Sequence, residues 1–89
     1  MGPYLVEFLG TMLLVYVILA TNNFIAIGST LAIIVLLGGA ISGGAFNPAV
    51  AFALFAAGKL DKSKLLPYII VEILGALAGF YAYTKFVRK

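Results

Sequence analysis

The stretch best equipped for chemistry is Gly38 to Phe52, GGAISGGAFNPAVAF, which sets Asn47 and Pro48 between a glycine-rich run and an apolar one. An asparagine at a helix start can accept a backbone hydrogen bond with its oxygen while its NH2 group points outward as a donor. Proline suits the first helical position, and a glycine such as Gly58 suits the residue beyond the last turn. The run from Asn47 to Ala57 therefore reads as a complete helix of about ten residues, about 15 Å long at 1.5 Å per residue. Its N-terminus carries about half a positive charge. With the amide of Asn47, that end offers donors to a passing oxygen atom and repels cations and hydrated protons. Carbonyls of Gly43, Gly44, Ala45 and Phe46 would supply the acceptors, and Pro48, Ala49 and Val50 complete the candidate contact surface.

Other chemistry is scarce. The chain has no cysteine and no histidine, which leaves out disulfides, thiolate metal sites and the commonest base, so no metal, no cofactor and no enzymatic reaction are expected. Two acids, Glu7 and Glu72, lie within apolar segments, where an ionisable group is costly and functional by default.

The elements that must position these residues are set by composition. Of the 89 residues, 64% are hydrophobic and 10% charged, against about 25% charged in soluble domains. The expected class is an all-α membrane protein of one small domain. Predicted segments run from about Pro3 to Ala20, from about Phe24 to Ile41, through a re-entrant loop and half-helix from about Ser42 to Ala57, and from about Leu65 to Val87. The first apolar segment lacks the basic start of a cleaved signal peptide and is expected to remain in the mature protein. Pro3, Pro48 and Pro67 all fall at predicted helix starts. A half-helix covers only half of a hydrocarbon core of about 30 Å. It must start mid-membrane and return to the face it came from, which a bilayer tolerates only where the backbone is buried in protein or lines a wet cavity. Spacing alone leaves two readings open, a pore or binding loop and an ordinary Asn-Pro turn in a broken membrane helix.

The glycines Gly10, Gly75 and Gly79 predict close helix packing. Tyr4, Tyr68, Tyr81, Tyr83 and Phe86 lie near helix ends and predict an interfacial aromatic belt. The lysines of the Lys59 to Lys64 loop are expected at lipid headgroups, with no nucleic-acid role.

The sequence SGGAFNPAVAFA resembles the signature loop of the aquaporin and glycerol-facilitator family, the major intrinsic proteins, named by its Asn-Pro-Ala motif. EFLGTMLLVY from Glu7 resembles the family's opening helix. PYIIVEILGALAG resembles the helix after the first motif, with Glu72 where the family often has glutamine. The resemblance implies that Glu7 and Glu72 brace the loop, Glu72 as a neutral carboxyl or as a loop-facing carboxylate; a proton-coupling role for Glu7 is the alternative. Family members carry two such repeats in inverted topology, and this sequence carries one. The resemblance thus implies an inverted second copy or a separate half-channel as partner, and, by analogy with family tetramers, four dimers. Val50 stands where second repeats carry an arginine, which implies an apolar filter, with Ile27 or Gly28 as further candidates.

The segments place Lys59, Lys62 and Lys64 on one face and Lys85, Arg88 and Lys89 on the other, a balance that gives little preference for either orientation. The expected function is a passive channel for water or a small uncharged solute such as glycerol, in a multi-pass protein of an unspecified membrane. The alternatives are a proton-coupled dual-topology exporter and a non-conducting accessory or assembly protein.

Overall fold

The computed structural model describes residues 1–88, which form four α-helices and a final π-helical turn. Lys89, one of the cations counted above, lies outside the described residues. Helix α1, Pro3–Thr21, begins with proline at its first position. It ends where Asn22 turns left-handed at φ 46° and returns its N–H to the Ile18 carbonyl. The next residue starts α2, Phe24–Ser42, because the Asn23 side chain accepts the N–H groups of Ile25 and Ala26 at 2.9 and 3.0 Å. Two adjacent asparagines thus serve opposite helix ends, since asparagine tolerates the left-handed region and caps well.

Helix α3, Pro48–Ala56, is nine residues long. It closes in a Schellman turn: Gly58 at φ 76° gives its N–H to Phe55, and Lys59 gives its N–H to Leu54 at 2.8 Å. Helix α4, Lys62–Tyr83, follows at once and runs on through the π-helical turn Thr84–Arg88. Together they span 27 residues, about 40 Å at helical rise, in a molecule whose longest extent is 41 Å. Three helices, α1, α2 and α4 with its extension, are long and apolar enough to cross a membrane.

The last helix starts earlier than Leu65. Asp61 takes the extended N-cap conformation and its carbonyl accepts the Lys64 N–H at 2.9 Å, so Lys62 to Lys64 form the first turn. Pro67 consequently lies inside α4, not at its start. Its missing N–H leaves the carbonyl of Ser63 without a helical partner, tolerable because Ser63 is exposed.

Helices α1 and α4 run parallel in close contact. A Cβ on Gly75 would lie 2.5 Å from the Phe8 carbonyl oxygen, and one on Gly79 would lie 2.5 Å from that of Met12. The four-residue glycine spacing therefore lets α4 rest on the α1 backbone within one protomer. Lower down, the Tyr4 and Tyr68 rings meet edge to face at 5.8 Å. Helix α2 packs on α1, and α3 on α4. The interior is two small clusters, Ala45, Ala51, Leu60 and Tyr68 in one, Val6, Ile34 and Phe46 in the other. Outside them, large apolar side chains such as Phe24, Leu36 and Leu77 stand exposed, as suits a protein solvated by lipid.

Candidate functional site

The site is built around the segment between α2 and α3. Three of its residues have left-handed backbones: Gly43 at φ 87°, Gly44 at 72° and Phe46 at 53°. Glycine takes this region freely, whereas phenylalanine carries a cost of roughly 1–2 kcal/mol. Two features hold Phe46 there. Its N–H donates to Glu7 Oε1 at 2.7 Å, and its ring lies against Gly10 and near Gly38, where a side chain would collide or crowd it. Gly10 thus makes room for a loop side chain.

Glu7 is completely buried and also accepts from the Ser42 hydroxyl, at 2.6 Å on Oε2. Ser42 Oγ in turn accepts the Gly44 N–H at 3.2 Å, and the Ser42 carbonyl accepts the Tyr68 hydroxyl at 2.7 Å. Tyr68 is 2% exposed, so it is no part of an interfacial belt. The sequence reading missed both Ser42 and Tyr68. The glycine-rich context of Ser42 was a usable signal, while nothing local distinguishes Tyr68 from the tyrosines at helix ends.

Glu72 is also fully buried, beside the Glu7 carboxyl and the Asn47 backbone, and as a carboxylate it finds no donor of good hydrogen-bond geometry for either oxygen. Thr11 Oγ1 is the other buried side-chain atom without a hydrogen-bond partner among the described residues. Glu72 is the eleventh of the 22 residues of α4, so the loop reaches the middle of that helix.

At the loop's end Asn47 is exposed, and its Oδ1 accepts the Ala49 N–H at 2.8 Å. With the oxygen engaged as cap, the side-chain NH2 is free to face outward. Val50, one turn on, shares that face and is 41% exposed; Ala49 is exposed and Pro48 half-buried. Gly43 is exposed and Gly44 half-buried, whereas the side chains of Ala45 and Phe46 point into the two interior clusters. What those two residues can offer a solute is backbone. Ile27 and Gly28 lie near the other end of α2, about 20 Å along the helix from Ser42. Within one protomer they are not brought to Asn47.

The family model of the major intrinsic proteins matches residues 2–88. This chain belongs to that family. The glycerol uptake facilitator protein-like 6 of Lactiplantibacillus plantarum is 38% identical over 98% of this chain and 44% of its own length. Aquaporin Z of Brucella melitensis is 44% identical over 62% of this chain, and aquaglyceroporin AqpS of Rhizobium meliloti 39% identical over 64%, each match covering 24% of the relative. The chain thus spans less than half the length of these relatives. No solved structure matches it significantly. Like other major intrinsic proteins it is an integral membrane protein, with three helices long and apolar enough to span and a half-helix packed on the last of them.

Proposed function

We propose that this chain forms half of a passive channel for water and small uncharged solutes such as glycerol, completed by a second copy in inverted orientation. The observation that carries the reading is Asn47: an exposed amide, its oxygen engaged in capping, at the start of a half-helix whose loop reaches the middle of a membrane span. Such an end presents donors and positive potential to an oxygen-bearing solute, with no ionisable group on the exposed Asn47 to Val50 face. The names of the relatives, aquaporins and a glycerol uptake facilitator, support the solute class. No chemistry follows, because Asn47 exchanges hydrogen bonds and transfers no atoms.

The inverted copy is supported by two features. Much of α3 is uncovered, with Val50, Phe52 and Phe55 exposed on different sides of it, and the segment order read from the sequence would put Lys59, Lys62 and Lys64 on one membrane face and Lys85 and Arg88, among the described residues, on the other. A two-fold axis in the membrane plane would bring two Asn47 residues together. A proton-coupled exporter fits less well, since both oxygens of Glu7 are engaged in holding the loop.

Osmotic swelling of proteoliposomes in water and glycerol gradients tests the channel, with permeability above that of empty liposomes expected. No increase would overturn it. Tagged termini probed from each side test the inversion: both faces should be labelled in equal measure, and a single orientation in every molecule would rule it out.

A further inference from the structure

We infer that Tyr68 is a positioning residue of this loop, one that keeps α2 from continuing past Ser42 and so fixes where Asn47 is presented. The inference rests on the channel reading for its functional consequence.

In an α-helix the N–H of residue i bonds the carbonyl of residue i−4. If α2 continued past Ser42, the Phe46 N–H would bond the Ser42 carbonyl. The structure splits that pair between two other helices. Glu7 of α1 takes the N–H at 2.7 Å, and Tyr68 of α4 supplies a donor to the carbonyl at 2.7 Å. Both replacement partners are buried, at 0% and 2% exposure, where an unpaired backbone group is costly. With Tyr68 silent, only the left-handed Gly43 and Gly44 and the Glu7 bond would oppose the pull of the freed carbonyl on the Phe46 N–H, and the loop would loosen toward another helical turn. Asn47, next in the chain, would move with it.

Tyr68 suits this role because its ring is anchored independently. It packs on Ala45, Ala51 and Leu60 and meets the Tyr4 ring edge to face. Helices α2 and α4 have no extensive contact of their own, so the hydroxyl ties the end of α2 to the helix against which α3 packs. Removing the hydroxyl alone therefore removes the tie and keeps the packing.

The test compares Tyr68→Phe with wild type and with Tyr4→Phe in liposomes, by two readouts. The first is hydrogen–deuterium exchange of the Gly44 and Phe46 amides. It should rise roughly tenfold in Tyr68→Phe, the effect of one lost hydrogen bond, and stay unchanged in Tyr4→Phe. The second is the ratio of glycerol to water permeability, which is independent of how many molecules are folded and inserted. It should shift in Tyr68→Phe alone. A general loss of stability would lower both permeabilities together and leave the ratio fixed. Unchanged exchange overturns the inference, as does raised exchange with an unchanged ratio. A wild-type protein without flux above empty liposomes instead fails the channel reading, and the exchange measurement then decides by itself whether Tyr68 holds the loop.

Discussion

The Glu7 carboxylate accepts the backbone N–H of Phe46 at 2.7 Å across 39 positions of sequence. This bond holds a phenylalanine in left-handed backbone, and the Gly10 and Gly38 surfaces receive its ring. A strained residue persists only where its surroundings over-determine it. Here a carboxylate, two glycines and a serine do so.

Glu7→Ala should therefore destabilise the protein by about 3 kcal/mol, because it leaves the buried Phe46 N–H without its acceptor and the Ser42 hydroxyl with only the longer bond to the Gly38 carbonyl. Glu7→Gln retains one acceptor oxygen and should lose about half as much. Thermal unfolding in detergent gives the order, wild type above glutamine above alanine. Equal losses for the two variants would contradict the two-bond account.

Gly10→Val should cost about 1–3 kcal/mol, since the new side chain meets the Phe46 ring in a filled interior. Gly75→Val should cost at least as much, because its Cβ meets the Phe8 carbonyl, which is backbone and cannot swing aside. Gly28→Ala is the control. Nothing lies within 4 Å of its added Cβ, and a helical glycine-to-alanine change should gain about 0.5–1 kcal/mol. A Gly75→Val protein as stable as Gly28→Ala would mean that α1 and α4 do not touch there.

Asn47→Asp keeps a side-chain oxygen for the Ala49 N–H, so the start of α3 should be within a few tenths of a kcal/mol of wild type. It replaces the outward donor with a carboxylate oxygen, and water and glycerol flux per molecule should fall. Asn47→Leu removes cap and donor together and should lose about 0.5–2 kcal/mol as well as flux. Full wild-type flux in both variants would remove the amide from the permeation path.

Glu72→Gln should stabilise the protein by about 1–3 kcal/mol. As a carboxylate, Glu72 finds no donor for either buried oxygen beside Glu7, whereas an amide offers Glu7 donors in nearly the same volume. A lower thermal midpoint for Glu72→Gln would show that the acid itself is needed there.

The all-helical architecture was legible because its signals are local. Span lengths follow from apolar runs, and the ends of α3 are marked by Asn47, Pro48 and Gly58, whose backbone preferences act within one turn. The beginning of α4 was misplaced for the same reason. Lys62, Ser63 and Lys64 look like loop by polarity, yet Asp61 at the N-cap lets them form the first turn, where no apolar face is required.

By itself, then, the sequence determined the membrane class, the short capped half-helix and the likeness to the major intrinsic proteins. Each is a property of composition or of neighbours a few residues apart. Only the tertiary structure decided that Tyr68 is an interior donor, that Gly10 accommodates Phe46, that Ser42 joins three helices and that Glu72 is buried beside Glu7. These choices depend on which helix faces bury together. A buried hydrogen bond between positions 39 apart leaves no periodicity or cap behind in the chain.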